Sequence, residues 1–161
     1  MTVLVDTCII IDALANRAPF SKDAQELLLR GATKTVSLMV SAKSLLGIHY
    51  VLKHYLNDES VVRAKMFALL QSVTAVDTSA SSAVMALNSP ATDYEDATQI
   101  ETALIEGVDY IVTRDRPGFS KSPVQAKTAL ESFHYWTKGQ QCEKSPYLWK
   151  SEPSRLPDSH F

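Results

Sequence analysis

The stretch Val3-Leu4-Val5-Asp6-Thr7 decides the predicted fold, because it joins a short apolar run directly to a carboxylate. A continuous run of branched apolar residues is typical of a strand buried on both faces of a parallel sheet. The stretch Tyr110-Ile111-Val112-Thr113-Arg114-Asp115 has the same pattern. Open α/β sheets bind their ligands outside the carboxyl ends of the strands. We therefore expect Asp6 and Asp115 to meet at that edge of one sheet.

Segments with helical spacing alternate with the apolar runs along most of the chain. Ser41 is a good N-cap for a long helix that reaches Leu56, and Thr92 with Glu95 has the form of a capping box for a helix that ends at Gly107. This alternation predicts a three-layer α/β/α sandwich with a mostly parallel central sheet. The predicted strands are 3–5, 35–40, 73–76 and 110–113, with an edge strand at 124–126.

The length of 161 residues favours one domain. We place that domain at residues 1–133, with a last short helix over 127–133. Residues 134–161 change in character, since aromatic residues such as Trp136 are separated by Gly, Gln, Lys, Ser and Pro. We expect this tail to be an irregular C-terminal extension that docks by its aromatic side chains.

The charge balance is ordinary for a globular protein. Charged residues make up 21% of the chain, and the formal net charge is −2. A strongly basic domain, the usual signature of nucleic-acid binding, is thus not present, although an Asp-rich site can lower the net charge of a chain that binds nucleic acid. The two cysteines form no disulfide framework or thiolate metal motif. Without a recognisable signal peptide or an apolar run of membrane-spanning length, the sequence predicts a cytoplasmic protein that does not enter the membrane.

A third acidic stretch, Asp93-Tyr94-Glu95-Asp96-Ala97-Thr98, opens a predicted helix. Each acid taken alone has a simpler structural interpretation as a helix cap, a first-turn acid or a turn residue. Together with Asp6 and Asp115, however, Asp93 and Asp96 would place several like charges in one site, and such charges repel one another. A divalent cation relieves that repulsion, and oxygen ligands suit Mg²⁺ or Mn²⁺. The pattern therefore favours metal-dependent phosphodiester chemistry.

These three stretches, in this order and at these separations, resemble a PIN domain. The resemblance covers residues 1–133, and the stretch 44–52 is similar to the third helix of one subgroup. Members of this family are known as metal-dependent ribonucleases with a Rossmann-like α/β/α sandwich, and its commonest bacterial members are the toxins of VapBC toxin–antitoxin pairs. The resemblance therefore implies a ribonuclease acting on single-stranded RNA, a possible cognate antitoxin and a homodimer.

Carried over by position, the resemblance implies that Asp6, Asp96 and Asp115 are catalytic. They would bind Mg²⁺ or Mn²⁺ together with a fourth acid, Asp93. Either Thr113 or Thr7 could orient a carboxylate from behind. Contacts with backbone phosphates would come from the cations Arg114, Arg116, Lys43 and Lys53.

The sequence departs from the family pattern at three positions. Gly47 stands where the third helix usually carries an acid, Cys8 where many relatives have Asn, and Gly118 where many have Asp. His49 is a minor candidate for the missing ligand. The alternative interpretation is a catalytically weakened or inactive PIN-like domain that binds RNA or a protein partner. A haloacid-type phosphatase fits less well, because Asp6 is not followed two residues later by a second Asp.

A few other polar and aromatic residues near these stretches have structural interpretations. We expect Asp12 to point to solvent or to support the site from behind. Tyr50 and Tyr55 are more typical of core or dimer-contact aromatics than of platforms for base stacking. The mid-helix glycine at position 47 indicates a close backbone approach, a bend or a lost functional side chain.

Overall fold

The computed structural model describes residues 1–142, with side-chain environments for residues 1–137. Its centre is a five-stranded sheet in the order β3-β2-β1-β4-β5, and every neighbouring pair of strands is parallel. This confirms the predicted parallel sheet. The strands are β1 (Thr2–Val5), β2 (Ser37–Ser41), β3 (Thr74–Val76), β4 (Tyr110–Val112) and β5 (Ala126–Lys127).

Helices cover both faces of this sheet and form the outer layers of the sandwich. Side chains alternate between the faces of a strand, so Val3 and Val5 enter the larger core cluster, whereas Leu4 enters a second cluster with Ile100 of the opposite layer. The helices are α1 (Thr7–Leu14), α2 (Ser21–Ala32), α3 (Ala42–Leu56), α4 (Glu59–Leu69), α5 (Ala80–Ala86), α6 (Tyr94–Glu106) and α7 (Ala129–Cys142).

The helix ends follow local chemistry, with one correction. Ser41 caps α3 as predicted, since its hydroxyl accepts a hydrogen bond from the Ser44 amide at 3.0 Å. The capping box predicted at Thr92 and Glu95 is wrong. Asp93 is extended (φ −107°, ψ 135°), which brings its Oδ1 to the amides of Glu95 and Asp96 at 2.7 and 3.2 Å. The cap of α6 therefore lies one residue later than predicted.

The last helix also differs from its prediction. We expected it to end at residue 133 and an irregular extension to begin at 134, but α7 continues to Cys142. Trp136 supplies the reason, because its side chain is buried in the larger core cluster. The guanidinium of Arg30 on α2 lies 4.8 Å from the Phe133 ring and 5.5 Å from the Trp136 ring. Residues 143–161 of the predicted extension lie outside the described part of the chain.

Within residues 1–142, no helix combines the length and apolarity that crossing a membrane requires. The helices of this fold are amphipathic or short, and their apolar sides pack on the sheet.

We predict that Trp136→Ala lowers the free energy of unfolding by about 3–5 kcal/mol, since it removes a large buried side chain and leaves a cavity. Leu130→Ala is the control, because Leu130 lies on the same helix and is exposed; surface changes of this kind cost less than about 0.5 kcal/mol. Urea denaturation of both variants measures the difference. Equal effects would show that α7 does not contribute to the core.

Candidate active site

Asp6 is the most tightly held acid of the predicted site. It follows β1, and its side chain is only 5% exposed. It occupies the N-cap position of α1 but its side chain makes no capping hydrogen bond, so the interpretation of Asp6 as a simple helix cap is wrong. Its carboxylate instead accepts hydrogen bonds from Gln99 Nε2 to Oδ1 at 3.1 Å, from Thr113 Oγ1 to Oδ2 at 2.6 Å and from Cys8 Sγ to Oδ2 at 2.9 Å.

Thr113 connects Asp6 to the loop that carries Asp115. This buried threonine follows β4, next to β1, and donates to Asp6 while its own oxygen accepts from the Asp115 amide at 2.9 Å. One hydroxyl thus sets the position of two acids that are far apart in sequence. Thr113 has the orienting role that the sequence predicted, whereas Thr7 Oγ1 has no hydrogen-bond partner among the described residues.

Asp96, in the first turn of α6, faces these acids across the sheet edge. Burial raises the pKa of its carboxyl to about 6, and the charges of Asp6, Asp93, Asp115 and Glu95 contribute to the rise. Asp93 has two roles: it caps α6 through Oδ1, and it lines the same cleft. The cleft between the four predicted acids therefore concentrates negative charge.

Gly118 shows how closely two of the acids converge. A Cβ at this position would lie 2.3 Å from Asp96 Oδ2 and 3.0 Å from Asp115 Oδ2. The Gly118 amide donates to the other oxygen of Asp115 at 3.2 Å. The lack of a side chain at Gly118 thus lets its backbone approach both carboxylates, and any larger residue would have to displace Asp96.

Cys8 is the second position at which the sequence departs from the family pattern, and its side chain makes a hydrogen bond. Its thiol donates to Asp6, and burial raises its pKa to about 12, with the Asp6 charge as the next largest cause. The side chain therefore stays a neutral donor at physiological pH rather than becoming a nucleophile.

Gly47 lies one helical turn after Lys43, on the same side of α3. Lys43 Nζ is 3.3 Å from Oε1 of Glu95, which lines the cleft. A Cβ at Gly47 would meet no atom of the described residues within 4 Å, so close packing among them does not explain this glycine. His49 does not replace the missing acid: its Nε2 contacts Glu59 Oε1 at 3.1 Å instead.

The predicted phosphate-binding cations each have a carboxylate partner. Arg114 Nε lies 2.9 Å from Asp12 Oδ2, and its guanidinium lies over the ring of Phe20 at 4.6 Å. The partners of the other three are Glu131 for Arg116 at 2.8 Å, Glu95 for Lys43 at 3.3 Å and Glu59 for Lys53 at 3.6 Å. Contact of these four residues with a substrate stays a prediction.

Asp12 does not point to solvent, as one interpretation of the sequence held. It is fully buried (0% exposed), and Arg17 Nη1 lies 3.4 Å from its Oδ1 while Arg114 approaches its other oxygen. Burial raises the pKa of Asp12, and the two arginines oppose that rise. Asp12 therefore supports the site from behind, because it binds Arg114, the residue between Thr113 and Asp115 in the sequence.

Two residues of the site were missed by the sequence analysis. Gln99 lies one turn after Asp96, so the spacing of α6 placed it on the same face, but glutamine in a helix carries no chemical signal of its own. Arg17 lines the cleft from the loop between α1 and α2. The position of the Arg17 side chain depends on its contact with the buried Asp12, and no local sequence pattern predicts that contact.

The donor set fits a hard divalent cation. All four predicted ligands offer carboxylate oxygens, which Mg²⁺ and Mn²⁺ prefer. Asp6 Oδ1 accepts one hydrogen bond and retains a lone pair, whereas Oδ2 accepts two. Within residues 1–142, no three His, Cys, Asp or Glu side chains already converge closely enough to hold an ion. The acids surround the cleft without forming a finished coordination sphere.

Comparison with known proteins identifies the family. A family model described as PIN domain matches residues 2–117, and the chain therefore belongs to the PIN domain family. No curated protein matches the chain.

Two solved structures have a similar fold. The first is the VapBC2 complex of Rickettsia felis bound to a DNA fragment from its promoter. The sequences are 17% identical, the match covers 80% of this chain and 98% of that chain, and the TM-score is 0.61. The second is the sarcin–ricin loop cleaving toxin VapC20 of Mycobacterium tuberculosis, with 16% identity, coverage of 76% and 96%, and a TM-score of 0.61. At these identities the likeness shows the fold.

We predict that Asp96→Asn stabilises the metal-free protein at neutral pH. The pKa of Asp96 is raised from 3.8 to about 6 in the folded state, so the folded protein holds this proton more tightly than the unfolded chain does. Stability from this group is fully present below the unfolded pKa and is lost as pH rises through the folded pKa. Asn carries no charge and avoids that loss.

The measurement is thermal denaturation in EDTA across this pH range. The gain in melting temperature of Asp96→Asn over the wild type should be greatest above pH 7 and shrink towards about pH 4. Asp77→Asn is the control, since Asp77 is an exposed carboxylate outside the cleft. An equal gain at both ends of the range would contradict a raised pKa at Asp96.

Proposed function

We propose that this member of the PIN domain family is a Mg²⁺- or Mn²⁺-dependent endoribonuclease that cleaves single-stranded RNA, as the toxin of a toxin–antitoxin pair. The observation that carries the proposal is the position of Asp6, Asp96 and Asp115 around one cleft: Asp6 and Asp115 follow β1 and β4, and Asp96 lies in the first turn of α6. The fold supports it, since VapC20 of Mycobacterium tuberculosis is described as a toxin that cleaves the sarcin–ricin loop. A cognate antitoxin, a homodimer and a cytoplasmic location are parts of the same proposal.

Asp6 and Asp96 would hold the cation most directly, and Asp115 and Asp93 would bind it directly or through water. Bound divalent cations lower the pKa of water and stabilise the charge that develops on a reacting phosphate. Thr113, Gln99 and Cys8 fix the Asp6 carboxylate so that it need not reorganise during the reaction. Cation binding needs Asp96 in its charged form, so its raised pKa predicts that binding would weaken as the pH falls through about 6.

The antitoxin is supported by likeness of fold alone. The Rickettsia felis structure is described as VapBC2 bound to a DNA fragment from their promoter. We therefore expect a small partner protein to be encoded beside this chain. Co-expression of that neighbour should suppress the ribonuclease activity.

We predict that Asp6→Asn reduces divalent-dependent cleavage of single-stranded RNA below detection and leaves the fold intact. Asn has the size of Asp but lacks the charge that holds the cation. Thr113→Val keeps the shape and removes the hydroxyl that donates to Asp6 and accepts from the Asp115 amide, so we expect a loss of about 10–100-fold. A cleavage assay in Mg²⁺, in Mn²⁺ and in EDTA measures both variants.

Glu106→Gln is the matched control for these two variants. Glu106 is an exposed carboxylate at the far end of α6, about 15 Å along the helix axis from Asp96, and its replacement should leave cleavage unchanged. Full activity of Asp6→Asn would remove Asp6 from the mechanism. Absence of cleavage by the wild type, with RNA binding retained, would favour the non-catalytic PIN-like alternative.

We predict that Gly47→Glu raises both Mn²⁺ affinity and cleavage. The new carboxylate would extend from the face of α3 that carries Lys43, into space that is free within 4 Å. Gly47→Gln is the control of equal size without charge. Both variants should gain about 0.5–1 kcal/mol in the free energy of unfolding, because each removes a glycine from a helix interior. Only the Glu variant should differ from the wild type in Mn²⁺ affinity, as measured by titration calorimetry. Binding no tighter than in the Gln variant would show that position 47 is not a vacated ligand position.

A further inference from the structure

We propose that Arg17 and Tyr55 form a nucleotide-binding subsite beside the acidic cleft. In this subsite Arg17 binds a backbone phosphate and the Tyr55 ring stacks on an unpaired base. The inference rests on the proposed function, because it assigns the way in which the same cleft receives single-stranded RNA. Tyr55 is 55% exposed, so its interpretation as a core residue is wrong, whereas a dimer contact at Tyr55 stays a prediction.

The loop between α1 and α2 holds Arg17 firmly. Its amide donates to the Asp12 carbonyl at 3.0 Å, and its carbonyl accepts from the amides of Phe20 and Ser21 at 3.0 and 2.9 Å. The backbone of Arg17 is thus tied to the end of one helix and the start of the next. A cation that extends from this point has a defined position at the cleft.

The negative charge of the cleft makes a cation such as Arg17 necessary for binding an anionic substrate. Five carboxylates line the cleft, those of Asp6, Asp93, Glu95, Asp96 and Asp115. A phosphodiester is itself an anion, so its approach to these acids is unfavourable unless positive charge compensates. In the described part of the chain, Arg17 is the only Lys or Arg that lines the cleft.

The contact with Asp12 leaves most of the Arg17 guanidinium available. Arg114 approaches Asp12 at 2.9 Å, closer than Arg17 at 3.4 Å, so Arg114 alone already opposes the buried negative charge. The Arg17 side chain is 36% exposed. A guanidinium has five N–H donors in a planar fork that matches phosphate geometry, and Arg17 contacts Asp12 through Nη1 at 3.4 Å.

The Arg17 guanidinium lies over one face of the Tyr55 ring, with Cζ 5.8 Å from the ring centre. A base would therefore stack on the other face of this exposed ring. Aromatic side chains next to backbone-binding cations are the usual means of holding unpaired bases without reading their sequence. Tyr50, although exposed on the same helix, packs instead against the His54 ring at 4.8 Å. The subsite therefore fits single-stranded RNA rather than a duplex, whose bases are stacked and paired.

The test is the affinity of a short fluorescent single-stranded RNA, measured by anisotropy in EDTA so that no cleavage occurs. We expect Arg17→Gln to weaken binding about tenfold and to reduce the slope of log affinity against log salt by about 0.7, as expected for one lost phosphate contact. Tyr55→Leu should weaken binding about tenfold with an unchanged slope, and Tyr55→Phe should bind as the wild type does. Arg17→Lys keeps the charge and should retain the wild-type slope.

Matched controls are Arg63→Gln, an exposed arginine that contacts Glu59, and Tyr50→Leu on the same helix as Tyr55. Melting temperatures of all variants separate loss of binding from loss of fold. The inference is overturned if the wild type does not bind the RNA, if Arg17→Gln binds as Arg63→Gln does, or if Tyr55→Phe is as weak as Tyr55→Leu.

A parallel cleavage assay in Mg²⁺ separates this inference from the proposed function. Cleavage by the wild type, with unimpaired RNA binding by both subsite variants, would retain the ribonuclease and reject the subsite. Weakened binding by those variants, with no cleavage by the wild type in Mg²⁺ or Mn²⁺, would support the subsite and reject the ribonuclease.

Discussion

The hydrogen bond from Thr113 Oγ1 to Asp6 Oδ2 joins the two central strands at the point where both end. Because β1 and β4 are parallel neighbours, their last residues lie side by side, and the acids that follow them are forced into one space. Thr113 converts that proximity into a fixed geometry, since the same oxygen also accepts from the Asp115 amide. Gln99 adds α6 to this arrangement through the other oxygen of Asp6. Three elements of the fold are thus oriented around one carboxylate.

This arrangement raises the pKa of Asp96, mainly because its carboxyl is buried and further because the charges of the neighbouring acids repel it. The surrounding cations do not cancel the charge of the cleft directly. Arg114 contacts the buried Asp12 and does not line the cleft. Arg17 lines the cleft and also contacts Asp12. Among the described residues, Arg17 is the one Lys or Arg that lines the cleft, so the acids keep an excess of negative charge that suits a site for a divalent cation. The arginine at its margin suits an anionic substrate.

Much of the fold and part of the site could be predicted from the sequence. The buried runs before Asp6 and Asp115 are long enough to identify as parallel strands, and their order along the chain placed both acids at one edge. The cap at Asp93 was missed because Thr92 offered an equally plausible signal one residue earlier. The end of α7 was misplaced because the aromatic residues after Phe133 are spread among polar ones, and only tertiary contact with Arg30 shows that Trp136 belongs to the core. Gln99, Asp12 and Arg17 could not be assigned roles, since each acts through a partner distant in sequence or across a loop.

Binding of a divalent cation by the acids at this sheet edge is tested most directly by the anomalous scattering of a crystal soaked in Mn²⁺. We expect a peak between Asp6 and Asp96, with oxygen ligands at about 2–2.5 Å and Asp115 oriented towards the ion. Asp6→Asn crystals in the same soak should show no peak there. A strong peak elsewhere on the chain, or none in the cleft at millimolar Mn²⁺, would show that these acids do not form the metal site.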